Sequence, residues 1–409
     1  MLVLAVENGW STTHLDVTSA FLYGDLEKEV YSLIPEGMNI NSHKYVLKLQ
    51  KSMYGLRVAS KNWHSKLCAI LKRKGYTPLI SEPNVFVDKN EPTGAILLVF
   101  VDDFLITGNN QSKINDVINY LETEIEIRNL GPPAKFLGIE ITFTSKGLSL
   151  HQNPYIDEMV LKYPIGAKQF KTPMEPRLQI EKPEMLQQHI SVREILGSLM
   201  YASIATRPDI TYSTNYLCRY ESTPNNEILK YSKRILNYLY TTKHYTLNYV
   251  KGSNSMEPTL TLFTDASFAS DTVDRKSTTG IIVKFGKNTI SWRATKPKCV
   301  TRSSSEAEYI AMSQGDAEVR SISNILNELK IKHSVLMFAD NTGAIAMCEK
   351  RDSRNLKHID IAYRVVEESI AEGKMKVNHI PGELMEADLL TKSLSKDRHE
   401  KLTRLIMNL

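Results

Sequence analysis

The longest apolar run of the chain, Ala95 to Val101 (AILLVFV), is strand-sized and ends on two aspartates, Asp102 and Asp103. A second apolar stretch, FLIT (104–107), follows directly. Two strands flanking a short polar break predict a hairpin. Aspartate also interrupts or ends three other strand-like stretches: THLDVTSAF (13–21) with Asp16, TLTLFTDAS (259–267) with Asp265, and VLMFADN (335–341) with Asp340. An aspartate is a poor strand residue and costly to bury unpaired. A hard cation is one compensating partner, because Mg²⁺ is held by one or two carboxylates together with substrate phosphates. Two such ions about 3.5–4 Å apart activate an attacking oxygen and stabilise a leaving one. For Asp102-Asp103 taken alone, an ordinary Asp-rich turn fits as well.

Strands and helices alternate around these positions. Leu56, Ala59, Trp63, Leu67 and Leu71 recur at helical spacing, as do Ile114, Val117, Ile118, Leu121 and Ile125. KFLGIEITF (135–143) reads as a strand. This order predicts an α+β palm-like sheet with helices on one face. A Pro- and Lys-containing stretch, roughly 164–190, reads as a connector. A helix is then expected from Thr223-Pro224, with proline at the first helical position. Ile228, Tyr231, Ile235 and Leu239 mark one face of it, and Lys230, Lys233, Arg234 and Asn237 another. The second face fits a solvated surface or a phosphate-tracking one. The last region alternates again, with a hairpin-like stretch GIIVKFGKNTISW (280–292) and a long helix from near Ser305.

At 409 residues the chain has room for two to four domains. Boundaries are expected at 1–160, 161–257 and 258–409. The overall charge is only +5, but it is unevenly spread. Residues 164–256 carry 12 basic against 7 acidic groups, whereas 1–163 carry 16 against 18 and 257–409 carry 23 against 21. A basic middle between near-neutral flanks favours a polyanionic partner. No apolar stretch approaches the ~18 residues of a membrane span. The start, MLVLAVENGW, reaches Glu7 early and has no basic residue, unlike a signal peptide. Cys68, Cys218, Cys299 and Cys348 are far apart in sequence. A reduced intracellular protein of the cytoplasm or nucleus, without membrane contact, is the expectation.

Many motifs occur in a fixed order over nearly the whole chain: HLDVTSAFLYGDLEKEVY, LQKSMYGLRVASKNWHSKL, LLVFVDDFLITG, AKFLGIEI, GSLMYASIATRPDITYS, DRKSTTGIIV, SSSEAEYIAM, ADNTGAI, KHIDIAYR and EADLLTKSL. This series resembles the reverse transcriptase and ribonuclease H portion of copia-type LTR retrotransposon Pol polyproteins. The resemblance implies a multidomain α+β and α/β chain: a palm, a helical thumb or connection, and a C-terminal RNase H-like fold. It makes Asp16, Asp102 and Asp103 the metal-binding carboxylates of polymerisation, with Phe100 where the family has Tyr. Phe21 takes the position that screens the incoming sugar; an ordinary core aromatic is the plain alternative. Tyr54 and Gly55 resemble the segment lining nucleotide and template, although Val58 and Ser60 stand where the family has Gln and Pro. Phe136, Leu137 and Gly138 resemble the hairpin that holds the primer; a core strand with a glycine bend fits equally.

In the last region the resemblance implies four carboxylates holding two Mg²⁺ ions, with Mn²⁺ as an alternative, and cutting the RNA strand of a hybrid. They are Asp265, Glu308, Asp340 and Asp388, the last opening a helix in EADLL. Glu308-Tyr-Ile-Ala311 fits the family's Glu-x-x-Ala, and Glu306 does not. Ser305-x-x-Glu308 is also a capping box. His379 and His358 read as surface histidines. The implied partners are RNA template, DNA primer, RNA–DNA hybrid and dNTPs, in a polyprotein or particle. Fifteen residues precede Asp16, none of them Lys or Arg. An N-terminally truncated polymerase with its fingers largely missing is therefore expected. Two functions remain open: an RNase H attached to an incomplete polymerase, or an inactive transposon remnant that at most binds nucleic acid.

Overall fold

The computed structural model describes the chain except residues 179, 181–191, 224, 253–257, 272–273 and 350–363. Two compact units result: residues 1–133 with 327–331, and residues 134–326 with 332–409. Among the described residues, no helix is long and apolar enough to cross a membrane. All four cysteines are free thiols.

In chain order the first unit contains helix α1 (Leu2–Asn8), strand β1 (Thr12–Val17), a ribbon of β2 (Tyr31–Ser32) and β3 (Leu47–Lys48), helix α2 (Ala59–Arg73), strands β4 (Tyr76–Pro78), β5 (Val85–Asp88), β6 (Ile96–Phe100) and β7 (Asp103–Thr107), helix α3 (Gln111–Glu124) and strand β8 (Ile127–Gly131). Six strands form one antiparallel sheet in the order β4-β5-β6-β7-β1-β8. The helical stripes behave as their spacing predicts, except that Leu56 precedes α2 and is half-buried. Ala59, Trp63, Leu67 and Leu71 of α2, and Ile114, Val117, Ile118 and Leu121 of α3, are buried. All of these but Ala59 share a single core with Leu15, Val17, Leu97, Val99, Phe104 and Ile106. Because strand side chains alternate in direction, Asp16 and Asp103 fall on the sheet face away from that core.

The predicted hairpin is present. Phe100 pairs with Asp103, which leaves Val101 and Asp102 as the turn. Val101 adopts φ 58, a left-handed conformation unusual for a β-branched residue. Trp63 supports this turn by donating its indole N–H to the Val101 carbonyl at 2.7 Å.

The second unit opens with β9 (Lys135–Phe136), β10 (Ile139–Thr144), β11 (Gly147–His151) and helix α4 (Asn153–Lys162). The expected single strand over 135–143 is instead two strands around a tight turn. Leu137 and Gly138 both have positive φ (49° and 78°), and Tyr201 donates to the Leu137 carbonyl at 3.0 Å. A Cβ at Gly138 would lie 2.2 Å from the Tyr201 hydroxyl, so this turn requires glycine there. Helices α5 (Val192–Ala205), α6 (Thr211–Cys218) and α7 (Asn226–Thr241) follow, and with α4 they enclose a second core around Ile156, Leu199, Leu217, Ile228 and Ile235. The α7 helix begins two residues later than Thr223-Pro224 predicts. Asn225 is its N-cap, accepting from the Ile228 N–H at 2.8 Å, while Pro224 lies outside the described residues. Strand β12 (Leu247–Val250) pairs with β11, giving the sheet order β12-β11-β10-β9.

A five-stranded sheet completes this unit. It comprises β13 (Thr259–Ser267), β14 (Thr278–Phe285), β15 (Asn288–Thr295), β16 (Ser334–Ala339) and β17 (Lys376–His379), in the order β15-β14-β13-β16-β17. The β13–β14 and β14–β15 pairs are antiparallel; β13–β16 and β16–β17 are parallel. Helices α8 (Ser304–Glu328), α9 (Thr342–Glu349), α10 (Val365–Ala371) and α11 (Lys396–Met407) accompany it.

Arg207 and Asp209, in the TRPDITY stretch, form a fully buried bidentate ion pair with N–O distances of 2.9 and 2.7 Å. The guanidinium also donates to the Thr242 hydroxyl at 2.7 Å, and Tyr238 donates to Asp209 at 2.7 Å. His399 on α11 meets the Asp209 carbonyl at 3.1 Å. One buried pair thus ties the α5–α6 junction, the end of α7 and α11 together. Asp209→Asn leaves a buried guanidinium uncompensated, so a loss of about 3–5 kcal/mol is expected, read as a lower denaturant midpoint. Replacing both, Arg207→Met with Asp209→Leu, should cost far less. Equal losses would show that packing rather than charge dominates.

Candidate metal centre

The centre is built around β13, the middle strand of the five-stranded sheet. Asp265 lies near its end, opposite Gly280 of β14, and is buried. Two glycines let other elements approach it. A Cβ at Gly280 would meet the Thr391 methyl at 2.7 Å and the Ala387 carbonyl at 2.8 Å, so glycine here admits the 3₁₀ turn Glu386–Leu390 that carries Asp388. A Cβ at Gly315 would lie 2.7 Å from the Thr264 methyl, so glycine lets α8 lie close on β13. Glu308 sits two turns earlier on α8 and points to Asp265. The Lys284 ammonium, 2.8 Å from Glu386, anchors the 3₁₀ turn to β14.

The first two glutamates of α8 have separate tasks. Glu306 is a capping residue: its N–H donates to the Ser303 hydroxyl at 3.2 Å, and its carboxylate accepts the Arg302 N–H at 2.7 Å. The cap expected from Ser305 is therefore displaced to Ser303, with the Glu306 carboxylate reaching back to Arg302 rather than to the Ser303 N–H of a capping box. Ser305 instead donates to Asn341 at 3.1 Å. Glu308 accepts the Ala266 N–H at 3.1 Å through one oxygen. Its other oxygen is buried with no hydrogen-bond donor among the described residues.

Ligand atoms of Asp265, Glu308 and Asp340 lie within 4.8 Å of one another. Asp340 comes directly after β16. Asp388 sits within the 3₁₀ turn rather than opening a helix, and it is not part of this three-carboxylate group. Two cations hold it: Lys392 at 2.6 Å and Arg398 at 2.7 Å. The Lys392 ammonium is also 3.7 Å from Asp265, and Thr391 donates its hydroxyl to Asp265. Sequence reasoning missed Thr391, Lys392 and Arg398. Only the i,i+4 spacing of Asp388 and Lys392 signals any of these pairings. His379 is exposed, its Nε2 3.2 Å from the Asp340 carbonyl. His358 lies outside the described residues.

Burial first, and then the Asp388 charge, raises the Asp265 and Asp340 carboxyls above the ordinary carboxylate range; Lys392 opposes both. Burial, Asp265 and Asp340 raise Glu308. Lys392 is drawn down by burial but held above its ordinary value by Asp265 and Asp388. Clustered carboxylates with an orphaned oxygen fit a divalent cation, whose charge offsets this repulsion. A raised carboxylate pKa favours the protonated folded state. Its stabilisation is full below about pH 4 and is lost as pH rises through the raised values. In metal-free buffer, the unfolding midpoint should therefore fall, relative to Asp265→Asn, as pH rises from about 4 to about 8. Mg²⁺ should restore it. A pH-independent gap between the two proteins would contradict this picture.

In the first unit, Asp16 pairs in register with Asp103, while Asp102 occupies the turn, its carbonyl accepting the Val17 N–H at 2.8 Å. His14 Nε2 lies 2.8 Å from the Asp103 carboxylate, a partner not foreseen from sequence. Asp16, Asp102 and Asp103 do not form a three-carboxylate group among the described residues. Phe21 both packs against the core and meets Tyr54, ring centroids 4.7 Å apart. Gly55 follows with φ 93.

Phe136 is buried beneath the β9–β10 turn, with Leu137 and Gly138 at its tip. On α7, Lys230 is exposed and Lys233 half-buried. Arg234 departs from the phosphate-tracking expectation. It pairs with Glu175, bonds Thr172 at 3.3 Å and lies 4.5 Å over the Phe170 ring. Asn237, assigned with them to the polar face, is buried.

The strand order and sense of the five-stranded sheet, with carboxylates on β13, on α8 and after β16, define an RNase H-like domain; the six-stranded sheet with its Asp-bearing hairpin is a reverse transcriptase palm. Residues 1–176 match the family model described as reverse transcriptase (RNA-dependent DNA polymerase). The retrovirus-related Pol polyprotein from transposon RE1 of Arabidopsis thaliana is 35% identical over 97% of this chain and 27% of its own length. That from transposon TNT 1-94 of Nicotiana tabacum is 32% identical over 99% of this chain and 31% of its own. A solved foamy viral protease–reverse transcriptase in complex with RNA/DNA hybrid covers 91% of this chain and 44% of its own, at 12% identity and TM-score 0.49. The chain belongs to the copia-type retrotransposon Pol family and spans less than a third of the length of the RE1, RE2 and TNT 1-94 polyproteins.

Proposed function

We propose that the Asp265–Glu308–Asp340 centre cleaves the RNA strand of RNA–DNA hybrids with Mg²⁺. The observation that carries this reading is three ligand atoms within 4.8 Å, with one Glu308 oxygen left unsatisfied. Asp265, Glu308 and Asp340 would hold the first ion, and Asp388 would contribute to a second. Such ions supply an activated water and charge for the leaving oxygen. The chain's own residues prepare the site. The Ala266 N–H fixes one Glu308 oxygen and thereby aims the other. Thr391 orients Asp265, and Arg398 orients Asp388. Hybrid recognition rests on backbone and shape rather than base edges.

Residues 1–160 then serve as a palm for RNA template, DNA primer and dNTPs, 161–257 as thumb or connection, and 258–409 as nuclease. Hybrid cleavage is the stronger activity, because Asp265, Glu308 and Asp340 gather within 4.8 Å whereas Asp16, Asp102 and Asp103 form no such group among the described residues. Incubated with Mg²⁺ and an RNA–DNA hybrid, the chain should cut RNA, and Asp265→Asn should abolish the cut. No cleavage, or cleavage surviving that substitution, leaves the inactive-remnant reading in its place. In parallel, incorporation on a primed template should be weaker and should vanish in Asp102→Asn; robust synthesis would reverse the order of the two activities.

Hybrid binding should be salt-sensitive. Lys230→Ala and Lys233→Ala should each lower the slope of log K against log salt by about 0.9. Arg234→Ala should leave the slope unchanged, because Glu175 already neutralises that guanidinium. An unaltered slope in the lysine variants would make this face merely solvated.

A further inference from the structure

Asp388 has a cation against each of its carboxylate oxygens. The Lys392 ammonium lies 2.6 Å from Oδ1, and the Arg398 guanidinium lies 2.7 Å from Oδ2. The two contacts are unlike. Arg398 donates a directed hydrogen bond through Nη2. The Oδ1 atom is buried and accepts no directed hydrogen bond among the described residues. Charge alone therefore holds Lys392 there.

Arg398 is tied down further. Its Nη1 donates to the Glu383 carbonyl at 2.6 Å, and its Nη2 also donates to the Gly382 carbonyl. A Cβ at Gly382 would lie 3.3 Å from Asp340 Oδ2. One guanidinium thus joins Asp388 to the backbone beside Asp340. Its planar fork fixes directions that a point charge on a flexible stem leaves open. Lys392 lacks such ties. Its side chain is 43% exposed, against 23% for Arg398. Its ion-pair partners among the described residues are both carboxylates, Asp388 and, at 3.7 Å, Asp265. Fully ionised, Asp265, Glu308, Asp340 and Asp388 set four negative charges against these two cations, a net charge of −2. One divalent cation neutralises it. A second would meet an excess of positive charge in a partly buried site, where like charges repel strongly.

We infer that Lys392 is a resident counter-cation of Asp388 which a second divalent ion must displace, whereas Arg398 is a positioning residue that stays bound and holds Asp388 for that ion. Removing the Lys392 charge then strengthens binding of the second ion, and removing the Arg398 fork weakens it. This inference rests on Asp265, Glu308 and Asp340 holding a first divalent ion, and the experiment separates the two claims.

The full chain, stripped of metal, is titrated with Mn²⁺ by calorimetry in the absence of nucleic acid, so cleavage plays no part. One ion should bind tightly, and Asp265→Asn should abolish that binding. Lys392→Met, similar in length but uncharged, should tighten a second ion about tenfold or raise the stoichiometry from one to two. Lys392→Arg, which keeps the charge, should do neither. In the Lys392→Met background, Arg398→Lys keeps the charge but loses the fork, and should weaken the second ion about tenfold. A merely structural role would not give the two cations opposite signs. Lys392 is exposed enough for its variants to keep the fold, so they decide the matter even where the Arg398 variant does not fold. A second ion unchanged in Lys392→Met, or tightened equally in Lys392→Arg, overturns the inference and leaves the first ion's site standing. A second ion indifferent to Arg398→Lys overturns the positioning role. No saturable binding, or binding indifferent to Asp265→Asn, overturns the metal centre itself and this inference with it.

Discussion

Three carboxylates held within 4.8 Å of one another repel, and burial sharpens that repulsion by removing water. The five-stranded sheet supplies what keeps them together. Gly315 lets α8 settle on β13, and Gly280 admits the 386–390 turn. The Ser303–Glu306 cap fixes where α8 begins and hence where Glu308 points. Lys392 and Arg398 bring opposing charge to the Asp388 side. The result is an arrangement costly in itself and favourable toward a divalent cation. Such perturbed, buried acids concentrate where chemistry is done.

The first unit solves a related problem by strand parity. Leu15 and Val17 face the helices while Asp16 faces away, and Phe104 and Ile106 do the same beside Asp103. Antiparallel pairing then sets Asp16 opposite Asp103 without burying either in the helix-covered core. The tight turn at Val101 holds a conformation few residues of its type adopt, and Trp63 secures it. Backbone strain of this kind persists where surrounding structure over-determines it, often at functional positions.

In the second unit, the Arg207–Asp209 pair shows how a short motif can hold several elements. Its partners Tyr238, Thr242 and His399 come from α7, the residue after it, and α11. A buried pair so fully bonded fixes geometry more than it adds stability.

What was legible in the sequence followed local periodicity. The stripes on α2 and α3, the hairpin at 98–108 and the aspartates on β1, on β13 and after β16 were readable because side-chain direction repeats every two or 3.6 residues. Ordered motifs identified the family because many short patterns over the whole chain agree. Tertiary structure alone decided the pairings between distant residues. It gave the cap to Glu306 and turned Glu308 toward Asp265, although both sit at the start of the same helix. It tied Arg234 to Glu175, 59 residues away, and removed it from the basic face. It set Thr391 against Asp265 across 126 residues, and Lys392 close by. These outcomes depend on how closely backbones approach, and so on glycines whose role appears only when a neighbouring element occupies the missing Cβ position.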